Sequence, residues 1–323
     1  MTSPHDTQAE RLLSELEPVV TGEINRHMTQ ARDWFPHEYV PWSEGRTFSG
    51  VLGGEAWEPS EQKFSDAARA ALIVNLLTED NLPSYHFEIA SKFGRDGAWG
   101  EWVHRWTAEE DRHAQVIRDY LTVTRSVDPN ELETLRMQHM QAGFTALHPG
   151  MLGGLAYVSF QELATRVSHR NTGKATGDPI AEQMFARIAL DENLHMIFYR
   201  NMMGAALEVA PDESMGAIRD VVLDFKMPGH DIPGFQRKAV QIAVEGIYDL
   251  RQHKDEVLMP VLRHWKIFER DNFGPEGEKA RDQVGEFLET LEAQAAKFEE
   301  KRDALKARMN RSPSAARVPS RNV

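Results

Sequence analysis

Apolar residues recur along this chain every three or four positions, and the strict alternation of a half-buried strand is almost absent. That period predicts helices over about 8–32, 62–92, 98–125, 129–142, 151–171, 177–207, 212–225, 233–252 and 276–308. A connection rich in Pro, Trp and Gly, residues 34–60, joins the first two. Further breaks fall at "FGRDG", "HPGMLGG", "MPGHDIPG" and "NFGPEGE". The expected fold class is all-α, with long helices in one domain of residues 1–310. A basic tail, 311–323, has almost no large apolar groups and is expected to be disordered.

Polar residues break into the apolar stripes at particular places. Val103, Trp106, Glu110, His113, Ile117, Tyr120 and Val123 advance in steps of three or four, with a carboxylate and an imidazole at the centre. Ala181, Phe185, Ile188, Glu192, His195, Tyr199, Met202 and Ala206 repeat the arrangement. Leu155, Val158, Glu162 and Thr165 form a third stripe, and Leu72, Leu76 and Glu79 a shorter fourth. Pro83, four residues beyond Glu79, is expected to free the Glu79 carbonyl and kink its helix. An unpaired ionised carboxylate in such a core costs several kcal/mol, which a metal ion offsets. One Glu from each of two helices and a Glu-x-x-His from each of two others is the ligand pattern of two-metal, ferritin-like four-helix bundles. Four carboxylates and two neutral imidazoles balance two divalent ions, and oxygen and nitrogen donors without sulfur suit iron or manganese. A further Glu-x-x-His, Glu101 and His104, lies about 180° around the helix from Glu110 and reads as surface.

Composition narrows the picture. A net charge of −13 over 323 residues argues against general nucleic-acid binding. The absence of cysteine excludes disulfides, thiolate metal sites and a cysteine nucleophile. Any electrons that the chain needs must therefore come from outside. No secretory leader and no apolar run long enough to span a bilayer stand out, so a cytoplasmic location is expected.

The stretches "TEDNLPSYH", "RWTAEEDRHAQVIRDYL", "YVSFQELATRVSHRNTGKA" and "DENLHMIFYR" resemble the soluble acyl-[acyl-carrier-protein] desaturases, the plant stearoyl type and especially actinobacterial relatives. "MPGHDIPGF" and "RHWKIFER" match more loosely. The resemblance covers about residues 10–300. It implies a di-iron centre held by Glu79, Glu110, His113, Glu162, Glu192 and His195, with Glu110 and Glu192 bridging. It implies Thr165 on the oxygen side of the site, and Asp191 behind a ligand histidine and linked to Trp34. Implied partners are an acyl carrier protein bearing the fatty acyl thioester, a ferredoxin-type electron donor and a second copy in a homodimer. The implied reaction is O2-dependent insertion of a cis double bond. A hydroxylase or other oxygenase, a ferroxidase, a metal-binding paralogue without turnover and a non-catalytic helical protein remain as alternatives. Plant members read "DEKRH" where this chain has "DENLH", so Asn193 and Leu194 replace two bases near the carrier-binding surface. Lys226, Arg237 and Lys238 are the substitutes the sequence offers.

Overall fold

The computed structural model describes residues 4–230, 232 and 234–311. Its helices are α1 (Pro4–Gln30), α2 (Asp66–Asp80), α3 (Leu82–Phe93), α4 (Gly97–Val123), α5 (Pro129–Ala142), α6 (Gly150–Thr176), α7 (Pro179–Val209), α8 (Pro211–Leu223) and α9 (Phe235–Glu245). The short α10 (Leu250–Gln252) runs through a π-helical turn, His253–Leu258, into α11 (Met259–His264), and α12 (Pro275–Arg311) follows. The connection between α1 and α2 holds three short 3-10 turns. An isolated bridge between Phe48 and Glu55 is the sole extended pairing among the described residues. The tail beyond Arg311 lies outside the described residues.

Helices α2, α4, α7 and α6 close a ring, each packing on the next. The α6–α7 hairpin is set by a four-residue signal. Gly177 takes the left-handed conformation (φ 64°, ψ 7°) that ends α6. Asp178 then accepts from the amides of Ile180 and Ala181, with Pro179 at the first helical position. Outside the ring, α1 lies against α4 and α7, α3 against α4 and α6, and α9 against α2.

Among the described residues two large apolar clusters fill most of the interior, and a small third joins Ala71 and Val74 to Ile242 and Ile247. Of the large pair, one takes Trp102, Val103 and Trp106 from α4 and Met196 through Leu207 from α7; the other takes Val116, Ile117 and Tyr120 from α4 and Ala181 through Ile188 from α7. On both helices the switch from one cluster to the other falls where the Glu-x-x-His pairs sit. The polar residues therefore form a buried slab between two cores.

Two expected helices are divided. Residues 62–92 do not kink but break at Asn81 (φ −81°, ψ 13°), whose amide caps the carbonyls of Thr78 and Glu79. Pro83 cannot donate to the preceding turn, so a fresh helix begins beyond the break. Residues 233–252 end α9 at Gly246 (φ 87°). The helical stretch from Leu250 to His264, interrupted by its π turn, was mostly outside the predicted elements.

Candidate metal centre

Each candidate ligand is placed by the ring. Glu79 stands in the last turn of α2, Glu110 and His113 in mid-α4, Glu162 in mid-α6, and Glu192 and His195 in mid-α7. All six are buried, His113 and His195 completely. Their donor atoms fall into two groups: Glu79, Glu110, His113 and Glu192 form one, and Glu110, Glu162, Glu192 and His195 the other. Within each group the donors lie within 4.8 Å of one another. Glu110 and Glu192 belong to both, which is the geometry of carboxylates shared by two ions.

Both histidines turn Nδ1 inward. His113 Nδ1 is 3.1 Å from Glu110 Oε2, 3.2 Å from Glu192 Oε1 and 3.6 Å from Glu79 Oε2. His195 Nδ1 is 2.8 Å from Glu110 Oε1 and 3.8 Å from Glu162 Oε2. Yet His195 Nδ1, Glu110 Oε1, Glu162 Oε2 and Glu192 Oε1 are buried without a properly directed hydrogen bond. Lone pairs converging on a common point, close but not aimed at each other, are what a cation requires, and the donor set fits a pair of divalent ions.

The outward nitrogens meet carboxylates on the opposite helix. His195 Nε2 is 2.9 Å from Glu109 Oε2, and His113 Nε2 is 3.5 Å from Asp191 Oδ2. Glu109 precedes Glu110 and Asp191 precedes Glu192, so α4 and α7 run antiparallel and each orients the other's histidine. Asp191 also accepts from Trp34 Nε1 at 2.7 Å and pairs with Arg112 and Arg187. Glu109 is held by Arg105 and by His27 Nε2 at 2.9 Å. Such contacts fix the tautomer and aim of a metal-binding imidazole.

The remaining carboxylates are tied as well. His169 Nε2 lies 2.9 Å from Glu79 Oε1, and Trp106 Nε1 donates to Glu162 Oε1 at 3.1 Å. Thr165 Oγ1 is 2.9 Å from Glu192 Oε2 and about as close to the carbonyls of Glu162 and Gln161, so its one proton has three acceptors within reach. Glu101 and His104 are exposed and take no part.

Crowding shows in the proton affinities. Burial, followed by the Glu192 and Glu110 carboxylates, holds the Glu162 carboxyl well above the usual range, and burial with Glu192 raises Glu110. Burial opposes charge on both imidazoles, but Glu110 with Asp191 at His113, and Glu109 with Glu110 at His195, outweigh it and raise both well above ordinary values. Asp191 is likewise buried, but its bond to His113 brings it down to about 2. The cluster thus retains protons where cations would otherwise balance its charge.

Three contributors were missed by the sequence reading, Glu109, His27 and His169, and Trp106 was read only as an apolar member of its stripe. The signals existed. His27 continues the α1 stripe of Leu12, Leu16, Val20 and Ile24, His169 continues the α6 stripe past Thr165, and each ligand glutamate of α4 and α7 follows another acid.

A cavity reaches this slab, with Glu79, Glu110, Glu192 and Thr165 in its wall and mostly apolar groups elsewhere. A second meets it at Thr78, Thr165 and Pro228. The fold and slab define a carboxylate-rich helical bundle with two groups of side chains, each able to hold a metal ion, beside a mostly apolar cavity. Comparison with known proteins makes this specific: the fatty acid desaturase model matches residues 8–315, and the chain belongs to that family. DesA1 of Mycobacterium tuberculosis, which carries an acyl-[acyl-carrier-protein] desaturase name, is 53% identical over 297 residues, 90% of this chain and 88% of its own. A chloroplastic palmitoyl-[acyl-carrier-protein] 4-desaturase of Ophrys sphegodes is 29% identical over 290 residues, covering 84% of this chain and 77% of its own. The X-ray structure of DesA2 from M. tuberculosis superposes with a TM-score of 0.69 at 30% identity, covering 84% of this chain and 99% of that one, and the fold is ferritin-like.

Proposed function

We propose that this protein is an O2-dependent acyl-[acyl-carrier-protein] desaturase, placing a cis double bond in a fatty acyl chain. The observation that carries the reading is the pair of overlapping donor groups sharing Glu110 and Glu192 at the wall of an apolar cavity, in a chain of this family. Glu79 and His113 would hold one iron, Glu162 and His195 the other, and Glu110 and Glu192 would bridge them. Bound iron supplies oxygen activation strong enough to remove hydrogen from an unactivated chain, which no side chain here can do.

The protein's own groups have definite tasks. The apolar wall excludes water and holds the chain in register, since neighbouring methylenes are chemically alike. Thr165 Oγ1, in the walls of both cavities and 2.9 Å from Glu192 Oε2, is placed to hand a proton to or from an oxygen atom at the site. Asp191 and Glu109 keep the two imidazoles aimed inward. The resemblance supports a ferredoxin-type electron donor, and a chain without cysteine offers no thiolates for an iron–sulfur cluster of its own. The resemblance also supports a homodimer. Among the described residues no helix is long and apolar enough to cross a membrane, which accords with a cytoplasmic site of action. Iron-loaded protein incubated with a ladder of acyl-carrier-protein thioesters and a ferredoxin reducing system should give product lighter by two hydrogens. A product heavier by one oxygen would identify a hydroxylase instead.

A further inference from the structure

The cavity beside α3 and α6 has a direction. Along α3 it is lined by Leu82, Tyr85, Ile89 and Phe93, and along α6 by Thr165, Val158 and Gly154. Thr165 lies by the metal slab and Gly154 eleven residues away, about 16 Å at the helical rise of ~1.5 Å per residue. The second cavity joins at the Thr165 end, so an acyl chain passing the slab runs toward Gly154.

That far end is not apolar. Lys92 and Glu88 line it, with Nζ 3.6 Å from Glu88 Oε2 and donating to the His148 carbonyl at 3.3 Å. Gly154 makes room for the lysine: a Cβ there would sit 3.1 Å from Lys92 Cδ. Both side chains are largely shielded, at 14% and 23% exposure, and burial depresses the Lys92 ammonium. An alkyl end pushed against this pair must strip water or partners from a charge and gains no apolar contact in return.

Building on the acyl reading above, we propose that the Lys92–Glu88 pair is a polar stop that sets how much of the acyl chain can extend beyond the metal slab. Chains whose methyl end falls short of Lys92 keep the pair intact. Longer chains must displace it, so this pair determines length preference.

The test is the affinity of the protein as purified for saturated acyl-pantetheine thioesters of stepwise increasing length. Each methylene that finds apolar wall should tighten Kd about fourfold, from ~0.8 kcal/mol per methylene at ~1.4 kcal/mol per tenfold. In the wild type the gain should stop at the carbon that reaches Lys92, and further carbons should weaken binding. In the double variant Lys92→Ala with Glu88→Ala, which leaves no charge behind, the gain should continue past that carbon. Lys92→Met with Glu88→Gln, of similar reach and no charge, should turn the loss beyond the break into a plateau. A break at the same carbon, with the same loss beyond it, in all three proteins would overturn the polar stop and leave the acyl reading standing. Absence of any length dependence in all three would remove the acyl reading, and the stop with it.

Discussion

At the scale of single residues, the slab is a problem of charge at close quarters. Glu110 and Glu192 face each other's histidines and each other, and burial adds to the cost of every charge. Because Glu110 contributes to both donor groups and Glu79 to only one, the two substitutions should differ in kind. Glu110→Ala should leave almost no transition metal bound, whereas Glu79→Ala should retain about one ion per chain, as elemental analysis would show. Equal retention in both would break the sharing argument. Glu109→Gln should weaken metal affinity by about 10–100-fold through misalignment of His195. Proton competition gives a further sign. The metal-free site holds His113, His195 and Glu162 with raised proton affinity, so each must lose its proton before it can ligate. Metal affinity should therefore rise with pH, with protons released on binding; titration calorimetry in buffers of different ionisation enthalpy would reveal an affinity flat in pH if this is wrong. The six candidate ligands were legible in the sequence because a Glu or His inside an apolar stripe is conspicuous. Glu109 was passed over although it directly precedes Glu110, because it lies one position off the stripe and resembles a solvated acid until α7 is packed against it.

At the scale of elements, the long helices could be read and their interruptions could not. Hydrophobic period continues across Leu76, Leu77 and Leu82, so nothing in that pattern marks the break at Asn81, although Pro83 marks the place where the ladder must fail. The π turn at His253–Leu258 leaves even less trace, since it changes the register of hydrogen bonds without changing residue type. The α6–α7 hairpin is a different case: "TGDP" carries a left-handed Gly, an Asp cap and a Pro at the first turn, yet the expected gap at 172–176 fell inside α6. Gly177→Ala isolates the backbone part of that signal. A Cβ there would meet no atom within 4 Å, yet φ stays at +64°, so the cost is conformational, ~1–2 kcal/mol. Thermal unfolding should shift down by roughly 2 °C with metal content unchanged. A larger loss, or loss of metal, would mean that the hairpin turn positions Glu162 and Glu192 more directly than its distance along the helices suggests.

For the whole molecule, the decisive feature is that the polar slab separates two apolar clusters that share α4 and α7, one completed by α6 and the other by α2. Each cluster contributes burial on its own side, while the slab between them holds crowded carboxylates and buried atoms lacking a hydrogen-bond partner. Cations would satisfy these atoms and offset the crowded charge, so metal binding should read out as global stability and not only as occupancy. A ligand at ~100-fold excess over its Kd adds about 2.7 kcal/mol. For a chain of this length, with unfolding entropy of ~2.1 cal/mol/K per residue, that is about 4 °C in Tm for each occupied position. The wild type should therefore melt several degrees higher with Fe(II) or Mn(II) than after chelation, and Glu79→Ala should show about half the shift. Glu110→Ala should show almost none, although its metal-free form should melt no lower than metal-free wild type, since one buried carboxylate has gone. A metal-dependent shift that persists undiminished in Glu110→Ala would place the stabilising ions elsewhere in the molecule and detach the slab from the chemistry proposed for it.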